Sequence, residues 1–196
     1  MKFVHWQHYA RGWLWLFLNR EKQAYVEFRE AHARDTSHLQ TLLHLAAIDA
    51  NQRHFALAES WFEKALALTP DDSATWFNLA YIRERAGSSE TAIPAFNESV
   101  RCNPNQDRAW YGMGLAHARS GQHTEAVVAF EKVAELQPMY GEGLYHLGMA
   151  YHHANRPDDV ALILKRLVAF EPKRAKKLAH DAMRTDLMKF IPELPF

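Results

Sequence analysis

The sequence predicts an all-α fold, a solenoid of antiparallel helix pairs, and three observations predict it. First, prolines stand at 70, 104, 138 and 172, so one outline, "WFEKALALTP", "AFNESVRCNP", "AFEKVAELQP" and "ILKRLVAFEP", returns every 34 residues. With eight Pro in 196 residues, a chance Pro at a chosen site is about one in twenty-five, so three further hits at a fixed period mark a structural repeat. Second, small and apolar residues keep register with the prolines. Ala46, Ala80, Gly114 and Gly148 share one column, Ala58, Ala92, Ala126 and Val160 another, and Phe62, Phe96, Phe130 and Leu164 a third, followed three residues on by Ala65, Ser99, Val133 and Leu167. Steps of three and four residues are helical periodicity. Third, Gly87, Gly121 and Asn155 share a column between the two apolar runs, residue types that tolerate the left-handed conformation ending a helix.

Each element follows from these columns. The blocks 39–72, 73–106, 107–140 and 141–174 need no insertion or deletion, and each reads as two helices joined by a tight turn. The block prolines follow the last turn of a second helix, and Pro157 lies where one begins. Pro94 falls inside a second helix, where a kink is expected. Sliding the frame back places Gly12, Ala24, Phe28 and Ala31 in their columns, Asn19 in the turn and Thr36 at the proline, so residues 5–38 form a degenerate first unit. The apolar "WLWLFL" is then a first helix, altered by aromatic density and by Arg11. It is too short for a membrane span and lacks a small-residue cleavage site, which makes export unexpected. Residues 175–190 put Ala175, Leu178, Ala179, Ala182, Met183 and Leu187 on one face, a capping helix, with a tail at 191–196. A single hairpin cannot cover its own apolar face, so stacking neighbours builds a continuous core.

Composition narrows the function. A hydrophobic content of 48% supports a substantial core, and the balance of 23 Lys plus Arg against 23 Asp plus Glu offers no excess charge for nucleic acid. The lone Cys102 makes no internal disulfide, and the chain reads as cytoplasmic with no membrane partner. There is no Gly-rich phosphate loop, zinc-type Cys pairing, HExxH motif or nucleophile elbow. His146, His152 and His153 share one helix without the convergent set a metal needs. No cofactor, metal or catalytic residue is expected.

The spacing of Trp110, Met113, Gly114, Ala126, Phe130 and Pro138 resembles the tetratricopeptide repeat signature. The sequence departs from it where Asp49, Arg83 and His117 occupy a column usually held by Tyr, and only Tyr151 conforms. The resemblance implies a right-handed superhelix whose first helices line a concave groove binding a peptide or helix of another protein. It places at that groove Trp6, Tyr9 and Trp13; Gln40, Leu43 and His44; Phe77, Asn78, Tyr81 and Arg85; Arg108, Tyr111 and Arg119; and Glu142, Tyr145, His146, Met149 and His152. Tyr9, Leu43, Phe77, Tyr111 and Tyr145 form a ladder that either faces the groove or packs between first helices, with Tyr favoured for exposure. Of the carboxylate-clamp positions that hold acidic chaperone tails in some members, Asn78 and Arg108 match, whereas Leu43, Ala47 and Gly112 do not. The expected partner is therefore a protein or peptide of mixed apolar and acidic character, met by Arg85, Arg108 and Arg119. Self-association through the aromatic first unit or the tail, and a secretion-type chaperone for apolar segments, are the alternatives.

Overall fold

A computed structural model of the chain describes residues 2–191, with side chains from residue 4. The described residues form two compact units that divide after Cys102. The first contains α1 (Lys2–Phe17), α2 (Glu21–Arg34), α3 (Leu39–Asn51), α4 (Phe55–Leu68), α5 (Ser73–Arg85) and α6 (Ser89–Cys102). The second contains α7 (Asp107–Arg119), α8 (His123–Leu136), α9 (Gly141–His153), α10 (Pro157–Val168), α11 (Pro172–Asp181) and a 3₁₀ turn over Thr185–Phe190. Successive helices pair as antiparallel hairpins, and each unit is an all-α stack of them. α6 runs through Pro94 uninterrupted, although proline removes one helical amide donor there.

The intra-hairpin turn is one device used five times. Asn19, Arg53, Gly87, Gly121 and Asn155 all have positive φ, between 56° and 85°. The amide after each donates to a carbonyl five residues earlier, as from Arg20 to Trp15, His54 to Asp49 and Ser88 to Arg83. This closes a first helix by the Schellman pattern. Arg53 is the unexpected member, since a side chain there costs conformational energy that Gly avoids. The repeating prolines have a second use as acceptors: the Trp76 indole donates to the Pro70 carbonyl at 2.7 Å and the Trp110 indole to Pro104 at 2.8 Å.

Close approach depends on glycine within the α1–α2 and α7–α8 hairpins and between α9 and α11. A Cβ added to Gly12 would lie 2.7 Å from the Phe28 ring, one on Gly114 2.7 Å from Phe130, and one on Gly148 2.6 Å from Leu178. Phe28, Phe96, Phe130 and Leu164 are all fully buried. In the column that departs from the family pattern, Asp49, Arg83 and Tyr151 make polar bridges to the preceding second helix, whereas His117 bonds Gln122 of its own turn. Asp49, 2% exposed, accepts from the Tyr25 hydroxyl at 3.1 Å and the Trp61 indole at 3.0 Å, with His54 3.2 Å away. Arg83 reaches Glu59 at 2.7 Å and Glu63 at 3.2 Å, and the Tyr151 hydroxyl donates to Glu131 at 2.6 Å.

The C-terminal end differs from the single capping helix expected over 175–190. α11 starts at Pro172 and stops at Asp181, and Met183 adopts φ of 55° before the 3₁₀ turn. Ala175, Leu178, Ala179, Ala182 and Leu187 still bury, but Met183 is 81% exposed, because the left-handed residue turns its side chain away from the apolar face. Residues 192–196 of the expected tail lie outside the described residues.

Asp49→Ala would leave a half-buried hydroxyl and a buried indole N–H without their acceptor. The expected loss of unfolding free energy is about 2–3 kcal/mol, read from urea melts, whereas an unchanged midpoint would mean the bridge carries nothing.

Candidate functional site

In the first unit the accessible first-helix residues come from α1, α3 and α5. Trp6 and Trp13 are 53% and 55% exposed, and Gln40, Asn78 and Arg85 are exposed. Tyr9 is only half-buried, ringed by Phe28, His38 and His44, with its hydroxyl 3.4 Å from the His44 Nε2 atom. His44 lies flat on the Phe28 ring with centroids 4.7 Å apart. Leu43 and Phe77 are half-buried, and Phe77 stacks on Tyr81 at 6.2 Å. Tyr81 is 48% exposed, and the Arg85 guanidinium lies 5.8 Å from its ring and 5.4 Å from that of Phe55.

Between α3 and α5 these residues enclose a cleft of about 280 Å³. Leu43, Ala47, Ala50, Ala74 and Ile82 form its apolar walls, with Phe62 behind them; Asn51, Asp72, Asn78, Tyr81 and Arg85 complete the lining. The Asp72 carboxylate is already engaged, accepting from the Ala74 amide at 3.3 Å and the Thr75 hydroxyl at 2.5 Å to cap α5. Its charge is therefore directed into the helix terminus.

In the second unit, Arg108 and Arg119 are exposed on α7, and Met149 and His152 are half-buried on α9. Tyr111 packs among Phe130, Tyr140 and His146 at centroid distances of 5.9, 5.6 and 5.7 Å, and burial raises its phenol pKa above the ordinary value. His146 lies on Phe130 at 5.6 Å, with Glu142 3.2 Å from its Nε2 atom. Glu142 also pairs with Arg174 of α11.

The five-residue ladder does not form an exposed surface. Tyr9, Leu43, Phe77 and Tyr111 are half-buried, and Tyr145 is buried at 9% exposure. Tyr145, expected at the groove surface, is covered because α11 supplies a partner for its hydroxyl: it donates to Asp181 at 2.7 Å, with the Lys177 ammonium 4.5 Å from its ring. Burial and that bond push its pKa up to about 12. Exposure falls instead on neighbouring columns, at Trp6, Trp13, Asn78 and Tyr81. Sequence reasoning missed Ala50, Asn51, Asp72 and Ala74 as lining residues; the signal available was two alanines, Ala47 and Ala74, in columns otherwise filled by large side chains. Among the described residues no group of three or more His, Cys, Asp or Glu could hold a metal, and no helix is long and apolar enough to cross a membrane.

Stacked hairpins with an accessible first-helix face define a helical repeat protein. The chain belongs to the tetratricopeptide repeat family: tetratricopeptide repeat models match residues 45–107 and 107–140. No curated protein sequence matches it significantly. A crystal structure of MamA has a TM-score of 0.79 at 18% identity, covering 100% of each chain. YrrB, described as a TPR protein with an unusual peptide-binding site, has a TM-score of 0.77 at 20% identity over 90% of each chain. MamA 41-end from Desulfovibrio magneticus RS-1 has 0.73 at 18% identity, covering 95% of this chain and 97% of that one. At such identities the likeness is one of fold.

The stacked histidines carry a pH dependence. Burial holds His146 below its ordinary 6.5, with Glu142 opposing, and burial lowers His44, aided by His38. His32, His38 and His153 move in the same direction, also through burial. Each is held neutral in the fold yet protonates near 6.5 once unfolded, so unfolding takes up protons. Their contribution is complete above about pH 6.5 and is lost as pH falls from there towards the folded values. Stability from urea melts should therefore drop between pH 7 and pH 5, and His44→Gln and His146→Gln should each flatten that slope.

Proposed function

We propose that the chain is a non-catalytic protein-interaction scaffold, acting in the cytoplasm, whose first-helix faces bind a peptide or helix of a partner protein. The observation that carries this reading is the chemistry left accessible on α3 and α5. Tyr81, Asn78 and Arg85 surround an open apolar cleft, while the opposite helix faces are packed into the core. Aromatic and arginine side chains at such a place are the types that dominate binding energy. The arginines favour acidic character in the partner and the cleft favours apolar character. Enzymatic turnover has no support in the chemistry of these surfaces.

Tyr81→Ala in the first unit and Tyr111→Ala in the second, used separately as baits in native extract, test the reading against a Leu162→Ser control on α10. A partner that binds the first-helix face should be captured at least about tenfold less by one of the groove baits and undiminished by the control. Equal capture by all baits would sink it.

A second reading, self-association, is favoured by α1, which exposes Trp6, Trp13, Leu14, Phe17 and Leu18, with Phe17 at 74%. An exposed apolar stripe of this width is characteristic of an interface. Light scattering should then give a mass that rises with concentration for the full chain and stays monomeric for Trp13→Ser/Phe17→Ser. A concentration-independent monomer removes this reading.

A further inference from the structure

The cleft between α3 and α5 arises where two departures from the chain's own repeat coincide with an asparagine in place of a ring. In the ninth column stand Trp13, Tyr81, Leu115 and Met149, but Ala47 in the unit built on α3. In the second column stand Trp6, Gln40, Arg108 and Glu142, but Ala74 at the start of α5. Ala47 and Ala74 both line the cleft. In the sixth column His44 covers the Phe28 ring at 4.7 Å and His146 covers Phe130 at 5.6 Å. Asn78, like Gly112 in the next repeat, has no ring to lay over its phenylalanine, and Phe62 forms part of the cleft lining. Thus the void is vacated by small side chains, with the buried Phe62 and Ile82 and the half-buried Leu43 among its lining.

Resting on the groove reading above, we propose that this cleft is an anchor pocket for one large apolar side chain, of the leucine or phenylalanine class, in an extended peptide carrying a carboxylate beside that residue. The volume of about 280 Å³ accommodates a single such side chain and is too small for a helix face. Charge complementarity supplies the second half of the specificity. Arg85 is exposed at the lining, held over Tyr81 and Phe55 by ring contacts, and has no carboxylate partner among the described residues. Asp72, the acidic residue in the lining, is turned to the α5 terminus by its bonds to Ala74 and Thr75. A guanidinium so placed is left to pair with a carboxylate on the ligand. The Asn78 and Asn51 amides can bond the peptide main chain beside the anchor.

The probe is a labelled peptide series, acetyl-Gly-Ser-Asp-Xaa-Asp-Ser-Gly-amide, with Xaa as Ala, Leu or Phe, the flanking aspartates serving either chain direction. By fluorescence polarisation the Leu and Phe peptides should bind the full chain about tenfold more tightly than the Ala peptide, the factor expected for burying such a side chain. Ala47→Leu fills the pocket and should erase that ratio, and Ala74→Gln should do the same by a second route. Circular dichroism melts at or above the wild-type midpoint show that both variants fold. Arg85→Gln should remove the preference for Asp over Asn flanks while keeping the Leu to Ala ratio. A ratio near one in the wild type, or one unchanged in both filled variants, overturns the pocket. Absence of binding by the Leu and Phe peptides, while native partners still require Tyr81, overturns the pocket alone and leaves the groove reading standing.

Discussion

The ring of Phe28 against the bare backbone of Gly12, repeated at Phe130 on Gly114 and as Leu178 on Gly148, sets the geometry on which everything else depends. With ring carbons 2.7 Å from where a Cβ would lie, the two helices approach as closely as their backbones permit. Glycine within a helix sacrifices about 1 kcal/mol of propensity, which the buried ring offsets by filling the space completely. The same faces carry Met113 and Ala116 beside Gly114, and Leu147 and Ala150 beside Gly148, all buried. On α5 the column holds Ala80, which buries with Leu79 and Ile82 and leaves Asn78, Tyr81 and Arg85 exposed on the other face.

Apolar contacts of this kind are slippery, and the polar column gives each stack its register. Asp49 meets Tyr25, Arg83 meets Glu59 and Glu63, and Tyr151 meets Glu131, each from a first helix to the second helix before it, and Asp49 also accepts from Trp61 of its own hairpin. A buried or half-buried polar group that finds its partner in only one alignment penalises every other alignment by its desolvation. At Asp49 and Arg83 the departures from the family's tyrosine therefore preserve the requirement, a polar reach to the preceding hairpin, while changing the group that meets it.

Most of the fold was legible because the repeat converts long-range packing into local periodicity. The small columns, the turn column and the degenerate first unit all followed from register alone. Arg53 was not legible as a left-handed residue, because its type argues against a conformation that its neighbours' bond from His54 to Asp49 imposes. The break after Asp181 escaped notice because Met183 fits the apolar spacing of a helix although its backbone leaves it. The site was less legible than the fold. Tyr145 was expected to be exposed on the ground that a hydroxyl prefers water, yet Asp181, 36 residues away, offers a better partner in the folded chain. Periodicity says which face a residue occupies. It cannot say which residue from another element will cover it.

A comparison of equivalent places in the two units shows how coverage decides function. Tyr9, Gly12, Phe28 and His44 recur as Tyr111, Gly114, Phe130 and His146, an offset of 102 residues, or three repeats of 34. In both places the imidazole closes over the phenylalanine and the tyrosine packs against both, so the first-helix face is filled from within. Two repeats lie between them, with Leu43, Ala46, Phe62 and Asn78, then Phe77, Ala80, Phe96 and Gly112, at the same columns, and neither has the tyrosine or the histidine. The packing that self-fills at those two places is absent around Phe62, and the vacancy lies there beside Tyr81 and Arg85. A surface gains specificity where rigid walls meet an absent side chain. On that reasoning the recognition chemistry of this chain is concentrated in the two alanines and one asparagine that decline to complete the repeat, and the aromatic residues of the ladder serve to hold their surroundings still.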